Sequence, residues 1–394
     1  KQSNKSTAIM SLILTRSPFF VKNEGGNPSA QARVEIEKII GDSLETEVLK
    51  TYVLNFYRQN EIDISPLIDE FINRQTITST LGFRPVRVKV TSPFDNGSTI
   101  SIESRYYVAC NGYFEFEQGY NYDAEDYLVD NVYYTGSTDC IYVLDDNEAR
   151  INLLSPKASA DSLEDVTIDV LFIKDGDIVG STIVSMTSES NAFANQVFNV
   201  PTWRRNFEAR VGVNDGVFEG NYCNDAFFDE YSVEDYDTIR LEDRSTGNTK
   251  DIKVKRIEEC KYKPILLTFI NKFGRPEDLY FFKRSDKSLN TSSEIYRRNT
   301  FGRTPRYHVY KKFNVNGKES MVLNSGYVPE EFYESFKQMY LSESIWAYLD
   351  DDSNTATPVN IKSTNLVEKL HRNEKLINYE IEIEFAFDTI GNIV

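Results

Sequence analysis

A chain of 394 residues has room for two or three domains of ordinary size, each with a buried core. Its 61 acidic against 44 basic residues leave a formal charge of -17, a surface that repels nucleic-acid phosphates and points to proteins or glycans as partners. No apolar run approaches the roughly 20 residues of a membrane-spanning helix, so no membrane span is expected.

The composition favours β structure, with 24 Tyr and 25 Phe against four Met. The first fourteen residues have too short an apolar part for a secretory signal and read as an arm or first strand. Apolar and polar residues alternate from Ala32 to Ile39 and again from Leu49 to Tyr57, as in strands with one wet face and one dry face. Ser65 and Pro66 predict a short helix, capped by the serine, with Leu67, Ile68, Phe71 and Ile72 on one face. Val86 to Val90 and Thr99 to Val108 read as a hairpin across Asn96-Gly97. Residues 113–146 are crowded with Tyr, Asp and Glu without a period, and read as loops and short edge strands.

Small polar residues at Ser159 to Ser162 predict an opening to a second unit. Val166 to Ile173, the turn Asp175-Gly176-Asp177 and Ile178 to Met186 form a second hairpin, and short strands follow at 193–200, 207–213, 238–241 and 252–257. Ile265 to Ile270 and Leu279 to Phe282 are two strands joined by a turn through Gly274-Arg275-Pro276, with Phe269, Phe281 and Phe282 expected in the core. Pro329 and two glutamates open a helix whose stripe is Phe332, Phe336, Met339 and Tyr340, and which should dock on a sheet. Trp346 reads as core, and Tyr379, Ile381, Ile383 and Phe385 share one face of a final strand. The fold class is therefore mainly β: two or three β-sandwich-like domains with one or two short helices. The predicted division is an N-terminal domain over 1–155, a central β domain over 156–300 holding the 259–284 hairpin, and an α+β segment over 301–394 that completes the central sheet.

The central hairpin also carries a likeness. A strand ending Phe269-Ile270-Asn271-Lys272-Phe273-Gly274, a short turn and an aromatic strand resembles a pattern in tail proteins of phages and prophages of Bacteroidetes-type bacteria. Thr15 to Val21, Ile62 to Ile68, Ile345 to Tyr348, Thr357 to Lys362 and Lys375 to Glu382 follow in the order of that family. The resemblance implies a structural tail or baseplate protein, of distal-tail or connector type. Such a protein would reside in the virion tail, be assembled in the bacterial cytoplasm, and position other tail proteins rather than catalyse. The alternatives are a glycan-binding receptor module of the tail tip and a polysaccharide-degrading tail enzyme.

No catalytic residue, cofactor-binding residue or metal ligand is assigned. His308 and His371 have no nucleophile partner pattern, and the P-loop, Rossmann, G-x-S-x-G and H-E-x-x-H motifs are absent. Acid pairs such as Asp145/Asp146 and Asp229/Glu230 offer the two carboxyls of a glycosidase, in a chain where 61 acids make such pairs by chance. Calcium is the one cofactor left open, at Asp123, Glu125 and Asp126 or at Asp350, Asp351 and Asp352, and no EF-hand pattern is present. Cys110, Cys140, Cys223 and Cys260 lack metal or disulfide spacing and read as buried thiols. The candidate interaction site is the basic segment Arg297, Arg298, Arg303, Arg306, Lys311 and Lys312, interleaved with Tyr296, Phe301, Tyr307, Tyr310 and Phe313. Basic residues among aromatics suit single-stranded nucleic acid. In so acidic a chain they fit better the acidic face of a second copy, in a ring-like homo-oligomer.

Overall fold

The computed structural model describes residues 12–27, 29–39, 46–57, 60–74, 83–84, 86–95, 100–119, 128–129, 132–134, 136–144, 149–154, 166–186, 195–200, 236–244, 247–257, 261–299, 301–302, 304–349, 356–367 and 376–390. The chain is mainly β, with β-sandwich-like layers. It forms two compact units, the first of residues 1–257 with 270–277, the second of 258–269 with 278–394.

In the first unit the chain runs β1 (Leu12–Leu14), β2 (Phe20–Lys22), β3 (Gln31–Ile39), β4 (Thr46–Asn55), β5 (Glu61–Asp63), α1 (Ser65–Asp69), β6 (Asn73–Arg74), β7 (Phe83–Arg84), β8 (Val86–Asp95) and β9 (Ile100–Cys110). Five of these strands make a sheet in the order β1-β9-β8-β3-β4, with β1 parallel to β9. The alternation expected in β3 is present: Ala32, Val34 and Ile36 are buried and pack with Val88, Val90, Ile68 of α1 and Ile72 just after it. The helix is capped differently from expectation. Ser65 makes no cap bond to the helix; instead Asp63 Oδ1 accepts from both the Ser65 amide, at 3.0 Å, and its hydroxyl, at 2.6 Å. A carboxylate two residues upstream meets the helix N-terminus with a full negative charge, where a hydroxyl would bring only a dipole. The β8–β9 hairpin is paired to Asp95↔Ile100; its turn, with Asn96-Gly97, lies outside the described residues.

The chain continues through β10 (Leu128–Val129), β11 (Val132–Tyr134), β12 (Cys140–Leu144), β13 (Ala149–Leu154), β14 (Val166–Lys174), β15 (Asp177–Met186), β16 (Asn195–Val200), β17 (Thr238–Asp243) and β18 (Thr249–Ile257). Two sheets, β10-β11-β13-β16 and β12-β18-β17-β14-β15, share one apolar core that includes Ile151, Leu153, Val170, Phe172, Leu241 and Ile252. The β14–β15 hairpin turns on Asp175 (φ 51°) and Gly176 (φ 95°), as a two-residue turn matched to strand twist requires.

In the second unit a seven-stranded sheet has the order β20-β19-β23-β24-β25-β22-β21. Its strands are β19 (Ile265–Ile270), β20 (Pro276–Phe281), β21 (Asp286–Arg297), β22 (Tyr310–Pro329), β23 (Ile345–Tyr348), β24 (Ala356–Ile361) and β25 (Leu376–Phe385). A 3-10 turn at Glu330–Phe332 leads into α2 (Tyr333–Tyr340). The helix docks on the sheet as its stripe predicts: the Phe336 ring lies 5.9 Å from Phe281 and 4.2 Å from Tyr379. Tyr379, Ile381, Ile383 and Phe385 are all buried, as are Phe269 and Phe281. Phe282 and Trp346 are only half-buried, contrary to the core expectation. For Phe282 the reason is the period of two: with Phe281 facing the core, its neighbour points to the other face.

The turn between β19 and β20 is buried within the first unit. Asn271, Lys272, Phe273 and Arg275 are all buried, although turns normally lie at the surface. A buried turn must satisfy its backbone internally, and Asn271 does most of this. Its Oδ1 accepts from the amides of Phe273 (3.0 Å) and Arg275 (3.1 Å), its amide donates to the Arg275 carbonyl (2.8 Å), and its Nδ2 donates to Glu277 Oε2 (3.0 Å). The Tyr113 amide reaches the Lys272 carbonyl at 2.8 Å, and Ser137 donates to Glu277 through both its amide and its hydroxyl. Gly274, at φ +73°, sits so close to Asn111 that a Cβ there would lie 2.6 Å from its carbonyl oxygen. The Arg275 guanidinium bonds the Cys110 thiol; burial pulls the arginine down from its ordinary pKa and pushes the thiol up.

Candidate interaction arm

Strands β21 and β22 build an arm at the edge of the seven-stranded sheet. β21 has strand-forming Leu289, Thr291, Ile295 and Tyr296 and no proline, and pairs with β22 from Asp286↔Val322 to Arg297↔Tyr310. All twelve of its residues are exposed, as are the first six of β22. β21 ends the sheet, so among the described residues one edge of its backbone has no strand beside it. Such an edge is a template for pairing with another chain unless something blocks it.

The two halves of the arm are held differently. Near the sheet, Lys287 pairs with Glu319 (2.6 Å), Lys318 with Glu384 (2.9 Å), and the Ser288 and Ser320 hydroxyls lie 2.8 Å apart. The Asp286 carboxylate, 2.8 Å from Arg284, raises that guanidinium above its usual value. At mid-arm, the Thr389 amide donates to the Gly317 carbonyl (2.7 Å) and Asn316 Nδ2 to Asp388 (2.9 Å). Just beyond, the ladder slips by one residue: Ser292↔Asn316 is followed by Glu294↔Phe313, with Asn314 in the left-handed region at φ 49°.

Past this bulge the cross-strand register sorts the side chains. Ile295, Arg297, Tyr310 and Lys312 share one face; Glu294, Tyr296, Lys311 and Phe313 share the other. Tyr296 and Phe313 meet edge to face at 5.4 Å, and the Arg298 guanidinium lies 6.0 Å from the Tyr296 ring. Each face thus combines cations with apolar or aromatic surface. Of the six basic residues singled out from sequence, Arg297, Arg298, Lys311 and Lys312 are brought together on adjacent strands. Arg306 is exposed in the end loop, and Arg303 lies outside the described residues. Among the described residues, no ion pair engages Arg297, Arg306, Lys311 or Lys312.

The sequence reading missed the arm itself, because it stopped at the basic cluster and placed a division at 300/301, inside the loop joining the two strands. It also missed a repetition. Asn299-Thr300-Phe301-Gly302-Arg303 repeats the N-x-F-G-R of Asn271 to Arg275. The local geometry repeats as well: Asn299 Oδ1 accepts from the Phe301 amide at 3.0 Å, and Gly302 has φ +70°. Phe301, however, is 94% exposed, whereas Phe273 is wholly buried.

The remaining sequence candidates are distributed. His308 is exposed, and Cys110 and Cys140 are buried free thiols. His371, Cys223, Cys260, Trp203, the 207–213 strand, the acid pairs 145/146 and 229/230 and the acidic loops at 123–126 and 350–352 lie outside the described residues. Among the described residues, no group of three His, Cys, Asp or Glu side chains is placed to hold a metal ion, and no helix is long and apolar enough to cross a membrane. No protein-family model matches the chain, and neither does any curated protein.

Proposed function

We propose that the protein is a non-catalytic assembly component: a bacteriophage tail or baseplate protein that forms a homo-oligomeric ring and positions neighbouring tail proteins. The observation that carries the assembly reading is the arm, a long two-stranded ribbon whose outer backbone edge is unpaired among the described residues, with Ile295, Phe301, Tyr310 and Phe313 in solvent. Exposed apolar surface of this kind on a paired ribbon marks a place where another protein binds. The tail-specific part of the reading is supported by the resemblance of the Asn271 to Pro276 hairpin and its companion motifs. In the virion the partners would be further copies and adjoining tail or connector proteins, after assembly in the bacterial cytoplasm.

Light scattering of the purified chain, alone and with other tail proteins, together with electron microscopy of tail particles, tests this. The expected result is a ring of defined mass that is incorporated into particles. A chain that stays monomeric in every mixture and is absent from particles would sink the reading. Exposed Tyr307 and Tyr310 also suit stacking on sugar rings, which favours a glycan-binding module as the second reading. Capture of host-surface glycan by a monomeric chain would put that reading first.

A further inference from the structure

We propose that the arm of one copy docks head to tail on the acidic surface of the next copy, with Phe301 as its apolar anchor. This rests on the assembly reading above and adds to it the contact, its polarity and its anchoring residue.

Three observations carry it. The first is charge: between 294 and 312 the chain has six bases against one acid, a formal +5, within a molecule of -17. The proximal bases Lys287 and Lys318 have acidic partners in their own chain, whereas Arg297, Arg306, Lys311 and Lys312 have none among the described residues. The surface that complements such an arm is the acidic remainder of another copy. The second is symmetry. A two-fold contact of arm on arm would set +5 against +5, and like charges facing each other are destabilising, so each arm meets the acidic surface of its neighbour rather than another arm; passed on from copy to copy, that contact leads to the ring of the assembly reading or to an open filament. The third is the repeated turn. The same N-x-F-G-R segment, with the same hydrogen bond from the phenylalanine amide to the asparagine Oδ1 and the same left-handed glycine, buries its phenylalanine completely at 271–275 and leaves it 94% exposed at the arm's end. At 271–275 the segment presents its phenylalanine for insertion, and at Phe301 nothing among the described residues receives it.

The test compares the full chain with two variants, Phe301→Ala and the fourfold reversal Arg297→Glu, Arg298→Glu, Lys311→Glu and Lys312→Glu, by analytical ultracentrifugation at low and high salt. All five positions are surface sites, and circular dichroism and melting temperature check that both variants fold. Self-association of the unaltered chain should weaken about tenfold or more between 50 and 500 mM salt. Both variants should be monomeric alone. The decisive arm is mixing: a reversed-arm copy keeps its acidic acceptor surface, so it should take up one unaltered arm and end growth, shifting the mean mass down to mixed dimers as its proportion rises.

If reversed-arm chains assemble as well as the unaltered chain, the arm contact is wrong and the assembly reading survives through another surface. If they stay wholly segregated from unaltered oligomers, the acidic acceptor is wrong, and if the unaltered chain stops at a dimer, the arms are exchanged about a two-fold axis and the head-to-tail geometry is wrong. A chain that is monomeric alone but enters tail particles overturns the self-contact only. A monomer whose arm binds single-stranded oligonucleotide and loses it on charge reversal makes nucleic acid the partner and overturns both.

Discussion

The two N-x-F-G-R segments, 271–275 and 299–303, share an asparagine bond and a left-handed glycine and differ in burial. Each begins with an asparagine that bonds the amide two residues on, and each has a left-handed glycine in fourth place. The first is packed against Asn111 and Tyr113, with its arginine on the Cys110 thiol. Asn299, Phe301 and Gly302 of the second stand in water at the end of a ribbon. Local sequence therefore sets the shape of a turn, and surrounding surface sets whether that shape is a structural plug or an exposed handle. Matched substitutions in the pair measure that division.

The largest difference should come from the phenylalanines. Phe273→Ala removes a fully buried ring and is expected to cost about 3 to 5 kcal/mol in urea denaturation, against less than about 0.5 kcal/mol for Phe301→Ala. Equal costs would mean that the first turn is not a plug. Next come the asparagines. Asn271→Ala strands two buried amides and takes one donor from the Glu277 carboxylate, for about 2 to 3 kcal/mol, while water replaces the bond lost in Asn299→Ala. The glycines separate strain from crowding: Gly302→Ala meets nothing within 4 Å and should cost only the left-handed strain of about 1 kcal/mol, so any excess for Gly274→Ala reports the collision with Asn111.

The smallest effect is on pH dependence, and Cys110 reads it. Burial raises its thiol, so the folded state favours the protonated form. That contribution to stability is complete below the unfolded thiol value of about 8.5 and is lost as pH rises through the folded value. Native Cys110 should resist iodoacetamide at pH 8, by peptide mapping, and become labelled in Gly274→Ala, whereas Gly302→Ala leaves it protected. Labelling of native Cys110 at the rate of an unfolded thiol would show that the plug opens freely. Above about pH 10 the buried Tyr134 and Tyr236, both raised by burial, should add their own loss of stability in the same direction.

Much of the fold was legible because its signals are local. The period of two in 377–385, the 332–340 stripe and the Asp175-Gly176 turn each follow from backbone geometry over a few residues, and each lies where expected. The parallel pairings of β1 with β9 and of β12 with β18 were not, since nothing in a strand names a partner a hundred residues away. At the candidate site, the basic and aromatic composition of 296–313 was evident, but the ribbon that presents it was not. Asn316-Gly317, a pair that elsewhere makes turns, lies inside β22, with Asp388 and Thr389 bonded to it. By itself the sequence determined strands, turn shapes and the basic charge of the arm, all fixed by neighbours along the chain. Only the tertiary structure decided which N-x-F-G-R turn is buried, because burial depends on the surface that distant segments bring to it: Asn111 and Tyr113 for the first turn, solvent for the second.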